Sequence, residues 1–502
     1  MGVLCIDAGT TMVKAVLFDE AGREAKVARQ GTLVTSPSPG WSEQDMYSVW
    51  DAVVHTVRQV VHGGEVDVSM VAVTGQGDGC WLVGEDGRPT GPAILWNDGR
   101  AAAIVDAWDA AGRLSDAFRI NGNLAFAGTQ SAILTWLHDN DPERLERSHK
   151  ALYCDGWLYH RLTGQFAVEE SDAASPFLDL AARAYSPKIL DLFDMPWAEP
   201  LLPGVLAGPD RVGALLGRSA TELRLRPGTP VVMAPFDIPA TAIGIGAVEP
   251  GSANSILGTT LSTQISVAGA DTSGEAAGMT LPLGVGDTYT RSLPAMAGVG
   301  VVNWAMQLIG LDNPNWLSDL AATSSPGAKG LFFHPYLSPA GERAPFRDTH
   351  ARGSMVGLSF EHTRSDIARA TLEGLSYVIR DCLQFGSDSV SELRLCGGGA
   401  NSVFWCQLLA DVTGVPTARS RDSEIGAKGA YLSAVTTVTA EEMASAIART
   451  VSMRDRFEPD PARAAAYGEL FEDFLSLREG LSGQWRRLTG VRARPAVAPP
   501  AH

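Results

Sequence analysis

The sequence has few cysteines, no long apolar run and fewer basic than acidic residues, and each shortage excludes a class of protein. Six cysteines are scattered without a C-x-x-C pair, which predicts buried thiols in a reducing compartment. No apolar run reaches the ~18 residues of a membrane helix, and no basic and apolar signal peptide precedes residue 7, so we expect a cytoplasmic protein that contacts no membrane. The 40 basic and 57 acidic residues give a net charge of −17, which argues against a nucleic-acid partner.

The length and the glycine content indicate a large protein with ligand-binding loops. At about 100–200 residues per domain, 502 residues predict at least two domains with ample core. The 53 glycines are about 11% of the chain, against a usual ~7%, and they fall in short clusters between apolar runs. We interpret these clusters as tight loops where the backbone approaches a ligand.

The most informative stretch lies at residues 5–14. A buried strand, residues 3–6, ends at Asp7; a bend of small residues with two hydroxyls follows, and Lys14 lies in the next strand. Backbone N–H groups and hydroxyls in such a bend can receive phosphate oxygens. Asp7 would repel a bare phosphate, so this interpretation requires a divalent cation between them. An ordinary hairpin with a polar turn is the alternative.

Residues 255–263 repeat this pattern of strand, Gly-Thr-Thr and second strand. They follow residues 244–254, which are rich in glycine and proline and form the best candidate for a domain boundary. Two halves that begin alike predict a duplicated architecture. The two bends could then hold different phosphates of one polyphosphate.

Polar residues follow three further strands. Gln76 and Asp78 alternate with glycines after residues 70–73, where they could contact hydroxyl groups or form a polar hairpin. Trp96 lies at the end of a further strand that begins at residue 94. It could form an apolar wall against a sugar or polyol, or simply pack in the core. Asp237 follows residues 230–236 at the start of a helix, where a carboxylate can act as a general base, cap the helix, or do both.

The C-terminal half contains a second ligand-binding pattern. A strand over residues 393–396 runs into three glycines, and a helix follows to Thr413 with Gly414 as its C-terminal cap. This order is typical of nucleotide sites, although neither G-x-G-x-x-G nor G-K-[ST] is present. Upstream, Thr363 and Asp366 predict a helix capping box. Downstream, residues 424–432 predict a small-residue helix that could pack closely beneath the glycines.

Taken together, these stretches resemble the FGGY carbohydrate kinases, the group of glycerol kinase and xylulokinase. The resemblance runs from residue 3 to about residue 435. The closest segments occur in the family order: 6–14, 40–45, 94–100, 237, 258–260, 341–345, 357–374 and 397–411. It implies an α/β fold with two ribonuclease-H-like domains, of the actin/hexokinase type of ATPase, and a catalytic cleft between them.

The resemblance also implies domains and partners. An N-terminal domain, residues 1–247, would bind the sugar or polyol and supply the base, and a C-terminal domain, residues 254–455, would bind the nucleotide. Residues 456–502 would be a helical extension with a disordered tail. ATP and Mg²⁺ are the implied cofactors, and a homodimer is the expected assembly.

The site residues carry over position by position from this resemblance. Asp7 corresponds to the metal-linked carboxylate and Asp237 to the catalytic base. The expected substrate contacts are Gln76, Gly77, Asp78, Trp96 and Asp237. The expected nucleotide contacts are Thr10, Thr11, Lys14, Gly258, Thr259, Thr260, Gly300, Asn303, Gly398, Gly399, Ala400 and Ser402.

Departures from the family pattern bear on the substrate. Glycerol kinases carry Arg-Glu and xylulokinases Met-His where this chain has Gly77-Asp78, and Ile238 replaces the asparagine of xylulokinases. Ile133 replaces a lysine common in the family. Gln-Gly-Asp-Gly is more similar to erythritol kinases, and Phe236-Asp237 to L-xylulose kinases. The resemblance therefore implies ATP-dependent phosphorylation of a primary hydroxyl of an erythritol-like polyol, or of a ketose of the L-xylulose or xylulose type. A non-catalytic ATP-binding sugar sensor is the alternative.

Overall fold

A computed structural model describes residues 2–62, 67–386 and 389–492. The predicted tail beyond residue 492 lies outside the described residues.

The strands, in chain order, are β1 Gly2–Ala8, β2 Met12–Phe18, β3 Glu24–Gly31, β4 Glu43–Gln44, β5 Val68–Gly75, β6 Trp81–Val83, β7 Ala93–Ile94, β8 Lys150–Leu152, β9 Ala167–Glu169, β10 Leu178–Asp179, β11 Ala184–Tyr185, β12 Gly204–Leu206, β13 Val212–Ala214, β14 Pro230–Met233, β15 Ser252–Leu257, β16 Leu261–Ala268, β17 Met279–Pro282, β18 Thr288–Ala295, β19 Phe332–His334, β20 Ser354–Val356, β21 Glu392–Cys396, β22 Thr417–Ser420 and β23 Met453–Phe457.

The α-helices, in chain order, are α1 Met46–Val61, α2 Ala102–Ala110, α3 Arg113–Asn121, α4 Gln130–Asn140, α5 Pro142–Glu146, α6 Cys154–Thr163, α7 Glu170–Ala174, α8 Pro187–Leu192, α9 Gly217–Leu223, α10 Asp237–Gly244, α11 Val299–Leu308, α12 Pro314–Ala322, α13 Arg364–Leu383, α14 Val403–Thr413, α15 Ile425–Thr439, α16 Met443–Thr450 and α17 Pro461–Arg492. Short 3₁₀ turns lie at Pro196–Leu201, Gly208–Arg211, Ala328–Gly330 and Gly398–Asn401.

The contacts divide the chain into two compact units. Among the described residues, the first unit contains those in 2–250, 266–292 and 420–452, and the second contains those in 251–265, 293–419 and 453–492. Helix α15 therefore belongs to the first unit although it lies near the C-terminal end of the sequence. No helix within the described ranges is both long enough and apolar enough to cross a membrane.

A six-stranded sheet forms the centre of the first unit, in the order β13, β14, β5, β1, β2, β3. Strand β1 runs parallel to β5, which runs parallel to β14, whereas β2 and β3 are antiparallel to their neighbours. Every residue of β1 is buried because both faces of the sheet are covered. Leu4 and Ile6 pack into a core with α1 and α6, and Val3 and Cys5 pack into another with α10 and α15.

Helices α10 and α15 pack closely because glycines lie at their contact. A Cβ atom at Gly244 would lie 1.9 Å from the carbonyl oxygen of Ile425, and one at Gly429 would lie 1.8 Å from that of Ala240. The predicted small-residue helix is therefore present. Its close partner is α10, which the local sequence pattern does not reveal.

The strands that begin the second unit are arranged like the strands that begin the first unit. Strand β15 pairs antiparallel with β16 on one side and parallel with β21 on the other, as β1 pairs with β2 and β5. Strands β22 and β23 continue the sheet beyond β21. The predicted duplication of strand, Gly-Thr-Thr and strand is thus present in both units.

Candidate functional site

The carboxyl ends of three parallel strands meet at one edge of the first unit's sheet. Strand β1 ends beside Asp7, β5 runs into residues 76–78, and β14 runs into residues 234–237. The amide of Gln76 donates to the carbonyl of Ala8 at 2.9 Å, and that of Ala234 donates to Val73 at 2.9 Å. Such an edge is where open α/β sheets bind ligands.

The Asp7 carboxylate is buried and belongs to a chain of charges. The ammonium of Lys14, on the facing strand β2, lies 3.3 Å from Asp7 Oδ2 and 3.0 Å from Glu424 Oε2. Burial raises the pKa of Asp7 in spite of the opposing effect of Lys14. Burial lowers the pKa of Lys14, but the charges of Asp7 and Glu424 outweigh it and raise the pKa above its ordinary value.

Thr10 connects the predicted phosphate loop to the predicted substrate contacts. Its hydroxyl donates to Gln76 Oε1 at 2.8 Å and accepts from the indole N–H of Trp96 at 2.9 Å. Its carbonyl accepts from Gln44 Nε2 at 3.0 Å, and Gln44 also accepts from Gln76. The side chain of Thr11 is exposed at the tip of the same loop. A phosphate that contacts the Thr10 hydroxyl must therefore compete with protein partners.

Close packing and backbone conformation restrict which residues can occupy positions 77 and 78. A Cβ atom at Gly77 would lie 2.2 Å from Cδ2 of Phe236, so the ring of Phe236 packs directly on the backbone of Gly77. Asp78 has a positive φ of 53°, and its Oδ1 accepts from the hydroxyl of Ser175 at 2.9 Å. Gly77 thus fits beneath the ring of Phe236, and Asp78 is held by its turn conformation and by Ser175.

Asp237 is the first residue of α10, and its side chain is half-buried. Its burial, followed by the negative charges of Asp7 and Asp78, raises its pKa from 3.8 to about 7. Lys14 acts in the opposite direction but does not cancel these effects. A carboxyl whose pKa lies near neutral pH is suited to general base catalysis.

The chemistry of this edge fits a divalent cation held by few protein ligands. Asp7, Asp78 and Asp237 are carboxylates in one electrostatic neighbourhood, and each of Asp7 and Asp237 has a raised pKa that a cation would lower. In the part of the chain that the structure describes, no three His, Cys, Asp or Glu side chains converge as a protein-only metal site would require. Mg²⁺ often uses one or two carboxylates and takes its other ligands from phosphates and water.

The second unit places its predicted residues at the ends of β15 and β21. Residues 258–260 join β15 to β16, and the amides of Val299 and Gly300 at the start of α11 donate to the carbonyls of Gly258 and Thr259. A Cβ atom at Gly298 would lie 2.5 Å from the carbonyl oxygen of Thr259. The structure therefore joins this loop to Gly300, and the exposed Asn303 lies one turn further along α11.

The glycine loop after β21 packs against the end of β15. A Cβ atom at Gly399 would lie 2.8 Å from Cβ of Leu257, whereas one at Gly398 would meet no atom within 4 Å. Ser402 is the N-cap of α14 and accepts from the amide of Trp405 at 3.1 Å. The carbonyl of Ala400 accepts from Arg419 at 3.1 Å. Gly398 is thus the most open of the three glycines.

Two family models match this chain: the N-terminal domain of the FGGY family of carbohydrate kinases over residues 2–244, and the C-terminal domain over residues 273–438. The chain belongs to the FGGY family of carbohydrate kinases. It is 32% identical to an erythritol kinase of Brucella abortus, over 97% of each chain. It is 31% identical to a xylulose kinase of Escherichia coli, over 95% of this chain and 98% of the relative.

The fold of this FGGY kinase matches solved structures of relatives. A xylulose kinase from Lactobacillus acidophilus superposes with a TM-score of 0.91 at 23% identity, over 97% of this chain and 99% of that chain. The protein is a mixed α/β, two-domain carbohydrate kinase, consistent with the actin/hexokinase type of ATPase fold. The predicted family, fold class and enzyme class are confirmed.

Several residues around this edge of the sheet were not identified as site residues from the sequence. Glu424 contacts Lys14, Gln44 contacts Thr10 and Gln76, and Ser175 contacts Asp78. Each lies far along the chain from its partner, and no local pattern signals the pairing. Two clues were available: Gln44 lies in the family segment 40–45, and the small-residue stretch 424–432 carries two glycines that indicate close packing.

Proposed function

We propose that this kinase transfers the γ-phosphoryl group of ATP to a primary hydroxyl of a small polyol such as erythritol. One observation carries the proposal: strands β1, β5 and β14 end at a common edge, and Asp237 lies at that edge with a pKa raised to about 7. Such a carboxyl is suited to act as a general base. The similarity to an erythritol kinase along nearly the whole chain supports a polyol. A ketose of the xylulose or L-xylulose type is the second candidate, supported by the similarity to a xylulose kinase and by the Phe236-Asp237 pair.

In the proposed reaction, Asp237 accepts the proton of the substrate hydroxyl. The hydroxyl oxygen forms a bond to the γ-phosphorus, and the bond from that phosphorus to the leaving ADP oxygen breaks. Lys14, the backbone amides of Thr10 and Thr11 and the exposed hydroxyl of Thr11 bind phosphate oxygens, because the hydroxyl of Thr10 is already bonded to Gln76 and Trp96. Asp7 would hold Mg²⁺, which would supply positive charge to the phosphates. Most of the acceleration then comes from positioning and electrostatic stabilisation.

On the substrate side, we propose that Asp78 accepts hydrogen bonds from substrate hydroxyls and that Gln76, Gly77 and Trp96 shape the pocket. Both polar atoms of the Gln76 side chain bond within the protein, to Thr10 and Gln44. Gln76 therefore has two proposed roles: it orients the side chains of Thr10 and Gln44, and it contributes to the shape of the pocket. The hydroxyl of Ser175 donates to one oxygen of Asp78 and thereby fixes the orientation of its carboxylate.

In the second unit, we propose that residues 258–260 bind nucleotide phosphates and that the glycine loop binds adenosine. The assigned nucleotide contacts are Gly258, Thr259, Thr260, Gly300, Asn303, Gly398, Gly399, Ala400 and Ser402. The exposed tip at Thr259 and the open backbone at Gly398 support this assignment. The same proposal includes two functional domains, with residues 1–247 binding the polyol and residues 254–455 binding the nucleotide. It also includes assembly as a homodimer.

A substrate panel tests the proposed reaction. Erythritol is expected to give the highest kcat/KM, with glycerol, D-xylulose and L-xylulose lower by about tenfold or more, because each differs from erythritol by one carbon unit, and even a single methylene changes transition-state binding by about 1–3 kcal/mol. ADP release is measured by a coupled assay, and ³¹P NMR identifies a phosphate monoester as the product.

Two other outcomes are informative. A ketose as the best substrate would replace erythritol by the second candidate. Tight ATP binding without sugar-dependent ADP release on any member of the panel would contradict the kinase assignment of this chain and favour the non-catalytic sensor.

A further inference from the structure

Glu424 is a charged residue next to the phosphate loop that has no assigned role. Its side chain is 5% exposed, and its Oε2 lies 3.0 Å from the ammonium of Lys14. Its Oε1 accepts from Nε of Arg29 at 2.8 Å, and a second guanidinium nitrogen also contacts this oxygen. Two cations therefore converge on one buried carboxylate.

The position of Glu424 is fixed from several directions. The carboxylate of Glu24, on β3, accepts from the amides of Ser423 and Glu424 at 2.9 and 2.8 Å. The next helix, α15, is packed against α10 at their glycine contact. Because these contacts hold both its backbone and its side chain, Glu424 presents its carboxylate to Lys14 from a fixed position.

Lys14 lies between two carboxylates. Its ammonium is 3.3 Å from Asp7 and 3.0 Å from Glu424, and its side chain is 30% exposed. Asp7, Lys14, Glu424 and Arg29 form a line of alternating charges whose sum is zero. The first turn of α15 also lies against Asp7, since a Cβ atom at Gly426 would be 3.3 Å from Asp7 Oδ2.

We infer that Glu424 is a positioning residue that shares Lys14 with Asp7 and thereby keeps an oxygen of Asp7 available to the metal. Without the carboxylate at 424, Lys14 pairs with Asp7 alone and competes with a divalent cation for it. This role rests on the proposed function in two respects, the assignment of residues 9–14 to the phosphates and of Asp7 to the metal. It predicts that Glu424 affects the binding of magnesium nucleotide more than that of free nucleotide.

The test compares nucleotide affinity with and without magnesium in the full chain. Glu424→Gln should weaken the binding of Mg-ATP about tenfold, which corresponds to ~1.4 kcal/mol, and should raise the free Mg²⁺ needed for half-maximal binding. The affinity for ATP in EDTA should be unchanged. Glu424→Asp, which keeps the charge, should lie between Glu424→Gln and wild type. Isothermal titration calorimetry measures each affinity.

A double-mutant cycle with Lys14 separates positioning from general damage to the fold. In a Lys14→Met background, Glu424→Gln should leave the Mg-ATP affinity unchanged, because the residue acts through Lys14. Glu441→Gln is the matched control: it breaks the ion pair with Arg449, at 2.7 Å in the same unit, and should leave nucleotide binding unchanged.

The inference is overturned if Glu424→Gln binds Mg-ATP like wild type. It is also overturned if ATP binding in EDTA weakens equally, or if the loss persists in the Lys14→Met background. If Glu424→Gln does not fold, the Mg-ATP affinity of Glu424→Asp is measured instead, both in the wild-type background and in the Lys14→Met background. The same outcomes then support or overturn the inference. These are binding measurements, so a failure of the kinase proposal, which is seen as absent ADP release, is recognised separately.

Discussion

Replacement of Asp237 by asparagine is expected to lower kcat about 10²- to 10⁴-fold, the usual contribution of a positioned general base. Affinity for ATP should be unchanged, since the variant alters the acceptor side of the reaction. Coupled ADP release and equilibrium nucleotide binding measure the two quantities. Asp51→Asn, a change of the same kind on the exposed face of α1, should alter neither. Near-normal turnover of Asp237→Asn would show that another group removes the proton.

The same variant should be more stable than wild type at alkaline pH. Because burial, Asp7 and Asp78 raise the pKa of Asp237 to about 7, its contribution to stability is present below pH 3.8 and is lost as the pH rises to 7. Asparagine carries no charge and avoids this loss. We expect a gain of about 1–2 kcal/mol at pH 8, after allowance for the partial exposure of the side chain.

Urea unfolding at pH 5 and pH 8 measures this gain. The stability of Asp237→Asn relative to wild type should increase between these two pH values, and that of Asp51→Asn should stay constant. A gain that is independent of pH would contradict the electrostatic origin of the raised pKa. The opposite signs expected for activity and stability make the variant a sensitive probe of the site.

Gly429→Ala is expected to destabilise the first unit by about 3 kcal/mol or more, although alanine is the better helix former. The added methyl would lie 1.8 Å from the backbone carbonyl of Ala240, and no rotation of a side chain can relieve that contact. The two helices must move apart, and with them Asp237 at the start of α10 and Glu424 just before α15. We therefore expect activity to fall together with stability.

Gly480→Ala provides the matched control. Gly480 lies in α17, where an added Cβ would meet no atom within 4 Å, so this substitution should stabilise by up to about 1 kcal/mol. Urea unfolding followed by circular dichroism distinguishes the two effects. A Gly429→Ala protein as stable as wild type would contradict the close crossing of α10 and α15.

Local patterns predicted the strand-loop-strand elements and several helix ends correctly. Residues 7–14 and 255–263 form the expected hairpins because short apolar strands and small turn residues determine structure over a few positions. The capping box of Thr363 and Asp366 is present, and Gly414 adopts the left-handed conformation that ends α14. These features depend on neighbours in sequence.

The site residues contact side chains that lie far away in the sequence, and local patterns could not predict these contacts. Thr10 was predicted to contact phosphate, yet its hydroxyl bonds to Gln76 and Trp96, an arrangement set by how three strand ends meet. The pairing of Lys14 with Glu424 requires α15 to return to the first unit. The fit of Phe236 on Gly77 similarly depends on the packing of β14 against β5.

The central claim is that the carboxyl ends of β1, β5 and β14 form the phosphoryl-transfer site, with Asp237 as the base. A crystal structure with erythritol, Mg²⁺ and a non-hydrolysable ATP analogue tests it most directly. The account predicts a primary hydroxyl about 3 Å from the Asp237 carboxylate and the γ-phosphate at residues 9–14. A polyol bound away from Asp237, or a γ-phosphate that does not contact residues 9–14, would contradict it.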